Sequence, residues 1–159
     1  MKHNLELLIA DIKDELNKLD RLINEFSEHS DRLTEPDLPN YDRAALGYYL
    51  HSFYNGCENI FKSIARFFEN DVRAETWHSD LLKRMKLEIE GYRPAVVDQE
   101  LYRLLDEFRA FRHIFRHGYS FELDWEKESL VAKKLPKTHS MLKDQIGHFI
   151  TELKKLSTS

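Results

Sequence analysis

The sequence predicts an all-α fold: an up-and-down antiparallel bundle of four long helices plus one short helix. Two observations carry that prediction. Apolar residues recur at alternating steps of four and three over long segments, which is the spacing of one helix face. Glycine and proline number only five and four, and they fall where those segments stop. With 159 residues, 42% of them apolar, the chain is expected to form one domain around one core, spanning 1–159.

The first segment, residues 4–29, places Leu5, Ile9, Ile12, Leu16, Leu19, Ile23 and Phe26 on one face and charged residues such as Asp11, Lys13, Asp14 and Lys18 elsewhere. Pro36, Pro39 and Asn40 deny a continuous helix across 34–42 and predict a loop. A second helix over 43–69 buries Leu46, Leu50, Phe53, Cys57, Ile60, Ile64 and Phe67. Its further aromatics, Tyr48, Tyr49, Tyr54, Phe61 and Phe68, mark it as the central helix. Gly56 in its middle costs about 1 kcal/mol against alanine and is understood if another backbone packs close there.

A short helix over 76–90 carries Trp77, Leu81, Met85 and Ile89 on one side and ends near Gly91, with Pro94 opening the next element. The fourth helix, 95–117, buries Val97, Leu101, Leu104, Phe108, Phe111 and Phe115 and is followed by Gly118. Residues 119–135 alternate Phe121, Leu123 and Trp125 among acids, which predicts an extended connection or a short strand. A last helix, 137–156, follows Pro136 and buries Leu142, Ile146, Phe149, Leu153 and Leu156.

Twenty-eight acids against 24 Lys and Arg give a formal charge of −4, so there is no whole-molecule attraction to a polyanion or an anionic membrane. Any such contact must come from a local patch. A lone cysteine, Cys57, forms no internal disulfide, and the absence of a signal-type apolar start predicts a cytoplasmic chain. Nothing approaches the ~18 apolar residues of a membrane span.

The local patch lies at the end of the fourth helix. Residues 109–119 hold Arg109, Arg112, Arg116, His113, His117 and Tyr119 and no acid. Arginine presents a planar donor fork suited to phosphate, and histidine exchanges a proton near neutrality. Together such groups can cut a phosphodiester with the substrate's own 2′-hydroxyl as nucleophile, which needs no metal or cofactor and limits the substrate to RNA.

Arg112, His117 and Tyr119 together resemble the Arg-x4-His-x-Tyr motif of HEPN-domain ribonucleases, in particular the HepT-like toxins. Phe53, Tyr54, Gly56 and Glu58 of the second helix are also similar to that family, so the resemblance covers nearly the whole chain. It implies a HEPN-like homodimer whose two motifs face one cleft. It implies RNA cleavage in which Arg112 holds or polarises the scissile phosphate and His117 acts as general acid or base. It further implies a nucleotidyltransferase antitoxin that adenylylates Tyr119. Family members often have a small polar residue after the arginine; here it is His113, which alters the hydrogen bonding or supplies a second proton-transfer group.

With 11 arginines and eight histidines, chance alone produces roughly 0.55 Arg-His pairs five apart, and roughly 0.02 once a tyrosine must follow. Arg73 and His78 form a second pair, with Asp80 in the tyrosine's place, across a predicted loop and helix start. Simpler readings stand beside the motif. Arg112 pairs on the surface with Glu107, His117 answers the helix dipole, and Tyr119 is a half-buried helix-end tyrosine. His113 and His117 share a face but have no evident third metal ligand, so no metal is expected. Five helical residues are a rotation of ~140°, so Arg112 and His117 meet only through the arginine's length, a loosened last turn or a second protomer. His51, Tyr54, Glu58 and Lys62 form a polar strip, most simply solvated, from which Tyr54 or Glu58 reaches Arg112 if the family packing holds. The alternative function is a non-catalytic HEPN-like module that binds a nucleotidyltransferase partner or nucleotides.

Overall fold

The computed structural model describes residues 2–69, 77–119 and 124–158. These residues form six helices: α1 (Lys2–Ser27), α2 (Asn40–Glu69), α3 (Trp77–Met85), α4 (Gln99–His117), α5 (Trp125–Lys133) and α6 (Leu135–Thr158), with a 3-10 turn at Ser30–Thr34. The four long helices and the all-α class are those the periodicity predicts. Helix α2 is the centre, packed against α1, α3, α4 and α5, while α6 closes the bundle against α1 and α4.

The core follows the four-three pattern. Ile12, Leu19 and Phe26 of α1, Leu50, Phe53, Ile60 and Ile64 of α2, Leu101 and Phe108 of α4, and Leu142, Ile146 and Phe149 of α6 are all buried. Phe67 and Leu156 are exceptions: both are exposed, each in the last turn of its helix. Gly56 does mark a close approach, but to a side chain: a Cβ there would lie 2.5 Å from Leu19 Cδ2 of α1.

Two segments depart from expectation. Helix α3 stops at Met85 and α4 starts only at Gln99. Between them the Met85 carbonyl accepts from Val96 N (2.8 Å) and Val97 N (3.1 Å), folding the connection back, and Gly91 makes the tight turn with φ 82°. Buried Arg93 ties this corner together, donating to the carbonyls of Leu87, Arg84 and Pro94 and to Glu69. Asp98 then caps α4, its carboxylate accepting from Leu101 N at 2.8 Å.

The second departure is α5, a helix where alternation predicts extended chain. Phe121 and Leu123 lie outside the described residues, but from Asp124 the backbone is helical. The Asp124 carboxylate accepts from the Glu126 and Lys127 amides, and Trp125, Glu128, Ser129 and Ala132 bury one helical face. Trp125 Nε1 donates to the Glu35 carbonyl at 2.9 Å, which fixes α5 on the loop before α2. Capping and one aromatic anchor outweigh three alternating residues. Helix α6 starts two residues early, with Pro136 in its first turn, where a missing amide is tolerated.

Candidate functional site

Helix α2 places His51, Asn55, Glu58 and Lys62 at steps of four, three and four, on one stripe that faces α3 and α4. Arg112, in the penultimate turn of α4, reaches that stripe and is buried at 6% exposure. Its Nη1 donates to Asn55 Oδ1 at 2.7 Å and to Glu58 Oε1. Its Nη2 lies 2.9 Å from His78 Nδ1, at the start of α3, and its guanidinium carbon sits 5.5 Å from the Tyr54 ring centroid. Glu58, 1% exposed, also contacts His78, Oε2 to Nδ1 at 2.6 Å. Three helices thus meet at one buried ion pair.

The cluster forms the floor and wall of an open cleft of about 460 Å³, lined by His51, Asn55, Lys62, His78, Arg112 and Arg116. No acid lines it. Three permanent cations edge one opening on a chain of net charge −4, with Glu58 offsetting Arg112 from beneath. His51 Nε2 is 3.0 Å from Asn55 Nδ2, and the ring packs 5.5 Å from Phe115. Burial, then Arg112 and Arg116, hold its pKa below the ordinary imidazole value, so it accepts from the Asn55 amide as a neutral ring. Burial likewise pushes the Tyr54 phenol well above its usual range, with Glu58 adding to the effect. The Cys57 thiol is raised in the same way, as suits a packing residue rather than a nucleophile.

The predicted site residues divide. Arg112, Glu58 and Tyr54 come together as one cluster, and Arg116 joins them at the cleft's edge. The simple reading of a solvated strip is overturned for Tyr54 and Glu58, which are buried because Arg112 and α3 cover them. The surface pairing of Arg112 with Glu107 is overturned as well: Glu107 accepts from Lys134 at 2.9 Å. Arg109 donates to Asp106 at 2.7 Å. His113 and His117 are exposed, ring centroids 4.7 Å apart, and neither lines the cleft around Arg112. Tyr119 is 68% exposed rather than half-buried. Among the described residues, no three His, Cys, Asp or Glu side chains gather as a metal-holding group.

Asn55 and His78 are the residues that sequence reasoning missed. Asn55 completes the 51–55–58–62 helical stripe, and that spacing was the available signal. His78 had none. Its sequence partner Arg73 lies outside the described residues, and only the packing of α3 on α2 brings His78 to Arg112.

No helix among the described residues is long and apolar enough to cross a membrane. No curated protein and no solved structure matches the chain significantly. A family model described as HepT-like protein matches residues 45–153, which takes in most of α2, most of α6 and all the residues that line the cleft. The helical bundle agrees with that match, and the chain belongs to the HepT-like family.

Proposed function

We propose that the protein is a metal-independent endoribonuclease, the toxin of a HEPN/nucleotidyltransferase toxin–antitoxin pair, which acts as a homodimer. The observation that carries this reading is the cleft over Arg112 edged by Lys62 and Arg116, in a chain of the HepT-like family. Phosphates of an RNA strand suit such a cleft, with Lys62 and Arg116 flanking the arginine. Arg112 polarises the scissile phosphate. His117 exchanges a proton with the reacting oxygens and comes from the second protomer, because within one chain it does not line the cleft that holds Arg112. The exposed Tyr119 is the acceptor of AMP from the antitoxin: its hydroxyl oxygen attacks the α-phosphate of ATP and pyrophosphate leaves. Co-expression with that partner is expected to add the mass of AMP to a Tyr119 peptide, and an unmodified peptide would remove this part of the reading.

The direct experiment is incubation of purified protein with total RNA, with chelator present throughout. Wild type is expected to fragment the RNA, and His117→Ala and Arg112→Lys to leave it intact at unchanged helical content. Cleavage by both variants at the wild-type rate would reject the assignment. The non-catalytic module remains the second reading, favoured by the commitment of Arg112 Nη1 to Glu58 and Asn55; it predicts bound but uncut RNA or partner in the same assay.

A further inference from the structure

Along the α2 edge of the cleft, Arg112 sets the direction of each hydrogen bond in turn. A guanidinium can only donate, so the Asn55 atom 2.7 Å from Nη1 is the amide oxygen, Oδ1. Asn55 Nδ2 then points the other way, to His51 Nε2 at 3.0 Å, one turn earlier on α2. An amide nitrogen donates, so Nε2 accepts with its lone pair and the ring hydrogen sits on Nδ1. Nδ1 is buried without a hydrogen-bond partner, so the contact with Asn55 alone decides which nitrogen carries the hydrogen. Phe115 and Tyr48 pack against the ring, with centroids 5.5 and 6.2 Å away.

We propose that His51 is a positioning residue: as a neutral acceptor it fixes the Asn55 amide, and Asn55 in turn fixes the Arg112 guanidinium toward an RNA phosphate; this rests on the ribonuclease reading above. Glu58 draws Nη1 from beneath, whereas Asn55 holds it from the cleft side, so the two bonds together set the plane of the guanidinium. The arrangement works only while His51 is neutral. A protonated ring donates from both nitrogens, and Asn55 has one amide oxygen for two neighbours that can only donate, the imidazolium and the guanidinium. Burial, then Arg112 and Arg116, keep the ring neutral against a pull from Glu58. Lys62 and His78 line the same cleft, and Glu128 of α5, which meets α2 one turn earlier at Gly47, keeps its proton up to about pH 8. Acid therefore releases Arg112 from Asn55. An ordinary pair four residues apart on a helix ends at itself, whereas this one ends on the buried arginine of another helix.

The experiment has two arms. Long-range proton–nitrogen correlation spectra of the imidazoles, with His51 identified by the signals lost in His51→Gln, are expected to show the neutral Nδ1–H tautomer at pH 7. An Nε2–H tautomer or a protonated ring would overturn the proposal whatever the activity. The second arm measures single-turnover RNA cleavage by wild type, His51→Gln and His51→Leu, where circular dichroism shows all three folded. Glutamine can still accept from Asn55 and does not titrate; leucine does neither. His51→Leu is expected to lose about tenfold or more in rate with substrate affinity little changed, and His51→Gln to recover much of that loss. Wild-type cleavage is expected to fall in acid at the midpoint of the His51 signals, a step absent from His51→Gln. His51→Leu cleaving as fast as His51→Gln would leave His51 a packing residue. Intact RNA with wild type would instead bring down the ribonuclease reading and the role toward a phosphate with it, an outcome distinct from active wild type with equally active variants.

Discussion

Two glutamates in this bundle are equally buried, each 1% exposed, and they sit in opposite circumstances. Glu58 on α2 is joined to Arg112 and His78 from two other helices. Glu128 on α5 has no hydrogen-bond partner for either oxygen, and its pKa is pushed up to about 8 by burial, against a weaker opposing pull from Arg43. Arg43 does not bond it; the guanidinium lies 5.7 Å over the Trp125 ring with its Nε buried and unpartnered. The difference teaches where polar burial serves a site. At Glu58 it orients a guanidinium at the wall of a cleft, whereas at Glu128 it only sets a dependence of stability on pH.

The largest effect expected is at Glu58. Arg112→Ala strands its carboxylate, and breaking a buried pair from one side costs about 3–5 kcal/mol, read as a lower urea midpoint. Replacing both partners, Arg112→Met with Glu58→Leu, is expected to recover most of that stability while RNA cleavage stays absent. A single variant as stable as wild type would show that the pair is not the junction of the three helices. This cost is also why Arg112→Lys is the safer variant for activity.

At Glu128 the effect is smaller and runs the other way. The folded chain keeps this carboxyl protonated up to about pH 8, whereas the unfolded chain releases the proton near the ordinary 4.5. Between those values the folded state binds more protons, so its stability declines as pH rises through that window. Glu128→Gln removes the decline. Wild type and variant are expected to melt close together at pH 5, and the variant to be more stable at pH 7.5 by on the order of 2–4 kcal/mol. A difference that does not change between those two pH values would contradict the account of Glu128.

The long helices were legible because their apolar residues repeat on one face over many turns, as Ile12, Leu19 and Phe26 do in α1. Helix α5 was not, since its buried face of Trp125, Glu128 and Ala132 includes a carboxylate that no hydropathy pattern places inside. The site divided in the same way. The resemblance to the HEPN motif singled out Arg112, His117 and Tyr119, and the packing it implies suggested that Glu58 or Tyr54 reaches the arginine. His78 approaches Arg112 from 34 positions away through the docking of α3, a contact that spacing along one helix cannot encode.

The central claim is that Arg112 and His117 from two copies of the chain serve one RNA-cutting cleft. Mixing Arg112→Lys with His117→Ala under conditions that exchange subunits tests it most directly. If each cleft draws its arginine and histidine from different chains, half of the mixed dimers are hybrids with one intact cleft in two, and roughly a quarter of wild-type cleavage returns. Two inactive variants that stay inactive after verified exchange would contradict it.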